Sequence, residues 1–212
     1  MSRPVSNLLG LAVLSYLTQR PMHAYELNKM LKENDAARTF KLSYGALYGV
    51  VRQLVDAGLI QPTGTGQTGR LPKHTVYELT GAGRAEMRAW LQELLGQPRQ
   101  EYPAFAAALS LVVVLPPDEV VALLRVRSQR LADETEAVRA QRDTTVAEGV
   151  APIFLVEDDY RIALLEAEST FIKGLVERIE DPDTGWAGPW RAYHSAPPEP
   201  GAVDSEMSGE EE

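Results

Sequence analysis

The stretch LSYGALYGVVRQLVDAGLI, residues 42–60, decides most of the fold of this chain. Apolar side chains recur along it every three to four residues, which is the spacing of one buried helical face. They are Leu47, Val50, Val51 and Leu54. Ser43 can accept a hydrogen bond at the start of the helix, and Gly58 can end it in a left-handed turn. The pattern therefore predicts one amphipathic helix that packs against a core.

The opposite side of this helix carries residues suited to contact with nucleic acid. Tyr44, Tyr48 and Arg52 follow one another at four-residue intervals, so they line one edge of the helix. Arginine binds guanine through two parallel hydrogen bonds, which makes Arg52 the candidate for a base contact. Two alternatives stay open. Arg52 could instead be solvated or bind phosphate, and Tyr48 could pack on the protein scaffold.

The neighbouring segments predict a winged helix-turn-helix domain over residues 1–96. Helices follow from apolar periodicity, and strands follow from dense β-branched and aromatic side chains. The expected elements are helices at residues 5–17, 23–33 and from Thr80 onward, and strands at residues 59–61 and 75–79. Residues 34–41 break the helical pattern and form the turn before the central helix. The fold class is therefore mainly α, with a small two-stranded wing.

The loop between the two predicted strands, residues 62–74, is rich in glycine and proline and has no acidic residue. Its basic side chains are Arg70, Lys73 and His74, which are expected to meet backbone phosphate. The alternative is a merely solvated loop. Lys41 and Ser43, at the start of the central helix, complete the predicted DNA-binding set.

Residues 97–181 predict a helical domain for dimerisation. A long helix is expected from residue 118 to about 148, and a second from about 153 to 180. Leu124, Leu131 and Val138 mark a seven-residue spacing along the first of these helices. Two long helices with apolar seams and no globular core of their own are expected to bury those seams against another subunit. Residues 182–212 are rich in proline, glycine and acid, and predict a disordered acidic tail.

Four aromatic residues in these two domains have an ambiguous role. They are Trp90, Tyr102, Phe105 and Phe171. Core or dimer-interface packing is the ordinary reading for each of them. An aromatic side chain near a dimer seam could also form the wall of a pocket for a small-molecule effector.

The charge distribution separates the two halves of the chain, although the net charge is −9. Residues 1–95 carry 11 basic and 7 acidic side chains, a net of +4, whereas residues 96–212 carry 10 and 23, a net of −13. A basic module joined to an acidic one is typical of a DNA-binding protein with a separate effector domain.

Several function classes are disfavoured by what the sequence lacks. It has no cysteine, no apolar run of membrane-spanning length, no catalytic or nucleotide-binding motif, and no histidine with a ligand partner at metal-binding spacing. We therefore expect a cytoplasmic protein that is not an enzyme and needs neither a metal nor a cofactor.

Three segments together resemble the PadR family of bacterial transcriptional regulators. They are His23-Ala24-Tyr25-Glu26-Leu27, then Ala46-Leu47-Tyr48 leading to Gly58-Leu59-Ile60, and Val76-Tyr77-Glu78-Leu79-Thr80 with Gly83. The family usually has glycine where Ala24 stands and proline where Gly49 stands. Residues 102–105, residues 115–120 and the arginine-studded helix that follows resemble the branch with a longer helical C-terminal domain.

The resemblance implies a homodimer that reads a palindromic operator in double-stranded DNA, often as a repressor relieved by a small molecule. The rival interpretation is a protein-interaction adaptor that keeps the winged fold and has lost DNA binding. The basic residues Arg52, Arg70 and Lys73 count against that rival.

Overall fold

The computed structural model of this protein describes residues 3–33, 43–66 and 74–195. The chain divides into two compact units, Met1–Glu101 and Tyr102–Glu212. The described elements of the first unit are α1 (Leu8–Tyr16), β1 (Met22–His23), α2 (Ala24–Glu33), α3 (Tyr44–Asp56), β2 (Ile60–Gly66), β3 (His74–Leu79) and α4 (Gly81–Gly96). The strands form an antiparallel sheet in the order β1-β3-β2. The predicted winged helix-turn-helix architecture is confirmed.

The core of the first unit joins α1, α2, α3 and the base of the sheet. The predicted inward residues of α3 are all buried there, and Leu47 and Leu54 are fully inaccessible to water. They pack in one cluster with Leu9, Val13, Leu14 and Leu27 from the two preceding helices and with Ile60 from β2. Burial on this scale is the main favourable contribution to the stability of such a domain.

The start and end of α3 and the start of α4 are determined by the capping and turn residues that the sequence predicts. Ser43 Oγ accepts a hydrogen bond from the Ala46 N–H at 3.1 Å and caps α3. Gly58 takes the left-handed conformation, with φ of 68°, just after the helix. Thr80 Oγ1 caps α4 by accepting from the Gly83 N–H at 3.0 Å. A Cβ at position 83 would lie 2.0 Å from the Leu59 carbonyl oxygen, so only glycine permits this approach of helix to strand.

The sheet differs from the expected two-stranded wing in two respects. Strand β1 was not predicted, since two residues are too few to show a period. Strand β2 runs to Gly66 rather than ending near residue 61, so residues 62–66, predicted as loop, belong to the strand. A register shift between Pro62 and Gly64 makes the extension possible. Proline donates no hydrogen bond, and it is tolerated here because β2 lies at the edge of the sheet.

The second unit is a helical hairpin with short flanking helices. Its elements are α5 (Ala104–Ser110), a 3₁₀ turn (Val112–Val114), α6 (Pro117–Ala147), a second 3₁₀ turn (Pro152–Leu155), α7 (Val156–Glu180) and α8 (Ala187–Ser195). Arg125 near the start of α6 pairs with Glu180 at the end of α7. Arg142 near the end of α6 pairs with Asp159 near the start of α7. The two long helices are therefore antiparallel.

The expectation that the long helices have no core of their own is wrong. Leu124, Leu131 and Val138 of the seven-residue seam are all buried within this one chain. Leu124 and Leu131 form a cluster with Ile172 and Ile179 of α7. The periodicity correctly indicates a buried seam, but a sequence pattern does not say which helix covers it.

The predicted disorder of residues 182–212 is also wrong where α8 forms. Trp190 of α8 packs into the hairpin cluster. Arg191 binds Asp118 of α6 through two hydrogen bonds, of 2.5 and 3.0 Å. His194 Nε2 lies 2.9 Å from the Val113 carbonyl oxygen and 3.0 Å from that of Leu115. The remainder of the predicted tail, residues 196–212, lies outside the described residues.

In the described part of the chain, none of the helices combines the length and the apolar character that a membrane span requires. Over the same residues, no three His, Asp or Glu side chains are grouped closely enough to hold a metal ion.

Candidate nucleic-acid interface

Helix α3 turns a polar and uncrowded face away from the core. Opposite its buried residues lie Gly45, Gly49, Arg52 and Asp56, all exposed. Tyr48, at the side of this face, is 39% exposed. Tyr44 is the first residue of the helix. The described residues of this face are thus exposed from Gly45 to Asp56.

Arg52 is the cation of this face, and its charge is not neutralised within the described residues. There its side chain has neither a hydrogen bond nor an ion pair, whereas Arg3 and Arg20, which flank α1, are both paired. Arg20 binds Glu26, and Arg3 binds both Glu86 and Glu93. An exposed guanidinium with its donors free is suited to bidentate recognition of guanine or phosphate.

The backbone of α3 is bare beside Arg52. A Cβ at Gly45 or at Gly49 would have no atom of the described structure within 4 Å. Neither glycine is therefore required by packing inside the protein. Their lack of side chains lets a large partner approach the helix backbone closely.

Helix α2 and its start are held by polar contacts next to this face. His23 Nδ1 accepts a hydrogen bond from the Glu26 N–H at 3.0 Å, at the first turn of α2. The Arg20 guanidinium bonds to the Glu26 carboxylate and holds the pKa of Glu26 below its usual range. These contacts fix the N-terminal end of α2, which packs against α3 in the domain core.

Of the predicted phosphate-binding residues, His74 and Ser43 have a described backbone position. His74 is the first residue of β3, opposite Gly66 of β2. The strands are tied on their outer side by the Gln61 amide, which donates to the Glu78 carboxylate at 2.7 Å. Lys41, Arg70 and Lys73 lie outside the described residues. Ser43 is in place as the cap of α3.

The four candidate pocket aromatics do not share one kind of environment. Trp90 is 1% exposed, and the Arg3 guanidinium lies over its ring at 4.8 Å, so it packs as core of the first unit. Tyr102 is almost fully exposed, and Phe171 is exposed on α7. Phe105 lines a cavity of about 470 Å³ on α6, where the Arg127 guanidinium covers its ring at 3.9 Å.

The sequence indicates Phe171 as a candidate for the dimer interface, but sequence reasoning missed the exposed apolar line on α7 to which it belongs, which we call the α7 stripe. Its members are each more than half exposed and recur at helical spacing: Val156, Tyr160, Leu164 and Phe171. The signal was present in the four-residue spacing of Val156, Tyr160 and Leu164, with Phe171 two turns further on, but the buried residues of the same helix dominate the pattern.

The fold of the first unit and a match to a sequence family point to the same class of protein. Helices α1, α2 and α3, with the antiparallel β2–β3 pair as the wing, define a winged helix-turn-helix domain. Residues 13–89 match the sequence model of a family described as "Transcriptional regulator PadR-like family". The chain therefore carries a PadR-like domain over these residues, and the predicted resemblance is confirmed for them.

Solved structures resemble more of the chain. Bacillus subtilis PadR in complex with operator DNA is 16% identical with a TM-score of 0.67, and the match covers 81% of this chain and 97% of that one. The same protein in complex with p-coumaric acid is 16% identical with a TM-score of 0.65, covering 79% and 96%. The PadR-like transcriptional regulator BC1756 from Bacillus cereus is 19% identical with a TM-score of 0.55, covering 80% and 96%. At these identities the likeness shows the fold. None of the curated proteins compared with this chain matches it.

Proposed function

We propose that this protein is a dimeric, sequence-specific DNA-binding transcriptional regulator that acts as a repressor and is released from its operator by a small molecule. One observation carries the proposal: α3 of a PadR-like domain presents Arg52, exposed and unpaired among the described residues, beside the open backbone of Gly45 and Gly49. The basic charge of residues 1–95 supports the same partner, since a net positive domain attracts the DNA backbone.

In the proposed complex, α3 enters the major groove with its outward face toward the bases. Arg52 contacts a base, and Tyr44 and Tyr48 contact bases or backbone along the same edge. The wing residues Arg70, Lys73 and His74, with Lys41 and Ser43, bind phosphate and fix the position of the domain without reading sequence.

The proposed dimer rests on the α7 stripe. Val156, Tyr160, Leu164 and Phe171 place apolar surface in water along four turns of one helix. Covering such surface is favourable by about 25 cal/mol per Å². A second copy of the chain offers the same stripe, and a two-fold axis lets the two stripes cover each other. The two copies of α3 would then meet successive major grooves of a palindrome.

Release by a small molecule follows from the same geometry. A ligand that binds more tightly to a dimer with a different spacing of the two α3 helices shifts the population away from the DNA-bound form. Repression is the simplest outcome of such a protein on its operator, because the bound dimer blocks access of other proteins to the site.

Selection of bound duplexes from a random pool tests the DNA-binding function, followed by titration of the selected sequence. Arg52→Ala is expected to cost about 1–3 kcal/mol on the selected site and to relax preference at one position in each half-site. Arg88→Ala is the matched control, since Arg88 is an exposed arginine on α4 of the same unit. It should leave both affinity and sequence preference unchanged.

Titration at several salt concentrations separates the wing from α3. Replacing Arg70 and Lys73 by alanine should weaken binding to all duplexes alike and reduce the salt slope by about one unit for each lost phosphate contact. If the wild-type protein selects no sequence and binds every duplex weakly, DNA recognition is refuted and the adaptor interpretation takes its place.

A further inference from the structure

A cavity of about 580 Å³ lies in the second unit between α8, α7 and the first 3₁₀ turn. We propose that this α8 cavity is a binding site for an uncharged aromatic small molecule. The volume is within the range of about 300–1,000 Å³ that ligand pockets in proteins usually have. The inference does not depend on the proposed DNA-binding function.

The lining decides the chemistry of the ligand. Its walls are Val112 and Val113 of the turn, Leu175 and Ile179 of α7, and Trp186, Pro189, Trp190 and Tyr193 at α8. Aromatic faces bind flat rings by stacking, and the aliphatic side chains opposite them exclude water. The cavity is lined by no charged side chain of the described chain, so a carboxylate or an ammonium entering it would lose hydration without gaining a partner.

The indole N–H of Trp190 does not open onto the cavity. Trp190 is 9% exposed, and its indole Nε1 is buried without an acceptor in the described structure. Buried indole N–H groups usually find one, because leaving a donor unsatisfied is costly. Because Nε1 is closed off even to water, a ligand in the cavity contacts Trp190 through its ring and not through this N–H.

Helix α8 forms one wall of the cavity. Polar contacts outside the cavity hold the helix in place, and none of its side chains fills the cavity. Arg191 binds Asp118 at the start of α6, and His194 bonds to carbonyl oxygens of the 113–115 segment. The Arg178 guanidinium lies 5.3 Å from the centre of the Trp186 ring. The polar contacts thus position the three aromatic rings while the space beneath them stays open.

Tryptophan fluorescence gives a direct test, since Trp186 and Trp190 are two of the three tryptophans in the chain. The probe is 4-nitroanisole, an uncharged aromatic quencher, and its charged analogue 4-nitrobenzoate is the comparison. We expect saturable quenching by 4-nitroanisole with half-saturation below about 1 mM, as ligand efficiency allows for a molecule of this size. Quenching by 4-nitrobenzoate should rise linearly without saturation.

Two neighbouring valines supply matched variants. Val113 lines the cavity and Val114, 70% exposed, does not. Val113→Phe should fill part of the space and raise the half-saturation at least tenfold, whereas Val114→Phe should leave it unchanged. Unchanged circular dichroism and melting temperature of both variants show that the fold is intact. A chain ending at Ser195 should bind the probe as the full chain does.

Three results would overturn the assignment. The first is strictly linear quenching of the wild type by 4-nitroanisole. The second is an equal loss of affinity in both valine variants. The third is binding at least tenfold tighter by the chain that ends at Ser195. That result would mean that residues 196–212 occupy the cavity in the full chain and compete with the probe.

Discussion

The two units of this chain handle apolar side chains in opposite ways. The first unit gathers them into one cluster from three helices and a sheet, and its exposed working face on α3 is polar or bare. Of the twenty large apolar side chains that are exposed in the described structure, fifteen belong to the second unit. The described part of the first unit thus buries most of its apolar side chains and exposes polar groups, whereas the second unit leaves more apolar surface exposed to solvent.

The contrast is sharpest in the cost of truncating a leucine. Leu54→Ala, in the closed core of the first unit, should lower the free energy of unfolding by about 2–5 kcal/mol, from lost burial and the cavity left behind. Leu123→Ala, on the exposed side of α6, should change it by less than about 0.5 kcal/mol. Urea unfolding followed by circular dichroism measures both. Equal costs for the two variants would break the comparison.

Self-association tests whether the exposed apolar surface of the second unit, the α7 stripe, binds a second copy of the chain. Phe171→Ala removes an aromatic ring from the α7 stripe twice in a symmetric dimer, so the dissociation constant should rise about 10- to 100-fold, or about 1.4–2.8 kcal/mol. Lys173→Ala is the control, because Lys173 is exposed on α7 outside the stripe. Sedimentation equilibrium gives both constants. A Phe171→Ala variant that associates like the wild type would assign the stripe to a different partner.

The ion pairs across the helical hairpin should contribute less. Arg127 and Glu168 lie 2.6 Å apart with side chains 41% and 30% exposed, so a double-mutant cycle should give a coupling of about 0.2–1 kcal/mol. Arg127→Ala alone should cost more than Glu168→Ala, because it also uncovers the Phe105 ring. The more exposed pair Arg125–Glu180 is the control, and its coupling should be nearer zero. A larger coupling for that pair would show that exposure does not govern these contacts.

Acid should produce the smallest effect, at the contact between α8 and α6. The hydrogen bonds from Arg191 hold the pKa of Asp118 below its usual range. A carboxyl whose pKa is depressed in the folded state stabilises it above the unfolded value near 3.9, and the contribution disappears as pH falls through the folded pKa. We therefore expect α8 to loosen below about pH 4, seen as a shift in tryptophan emission.

Asp118→Asn should weaken that acid-dependent shift and leave the emission at neutral pH almost unchanged. A residual part should persist, because backbone N–H groups of Thr184 and Asp183 also lower the pKa of Asp181 before α8. An unaltered acid transition in Asp118→Asn would mean that the Arg191 contact does not hold α8.

The sequence allowed the first unit to be predicted almost completely, because its determinants are local. Ser43, Gly58 and Thr80 fix where α3 and α4 begin and end, and these residues act through hydrogen bonds and φ angles within a few positions. The same holds for the outward position of Arg52, which follows from helical periodicity. What these contacts recognise is a property of the partner and remains a proposal.

The second unit was harder to predict, because its determinants join distant parts of the chain. The seam of α6 is covered by α7 of the same chain, a choice that periodicity leaves open. Helix α8 was hidden in a segment whose average composition is polar. Trp186, Trp190 and Tyr193 recur there at helical spacing, so a residue-by-residue reading offered a signal that composition concealed.

Gly45 and Gly49 also affect the stability of α3 as a helix. Each glycine lowers the intrinsic stability of a helix by about 1 kcal/mol relative to alanine, so the segment is a poor helix former by itself. Its winding depends on the buried side chains of the opposite face, Leu47 and Leu54 above all. Amide hydrogens in the first turns of α3 should consequently exchange with solvent faster than those of α1, whose six successive central residues are all buried. The rigidity of α3 therefore depends on its packing against the core and not on its own helix propensity.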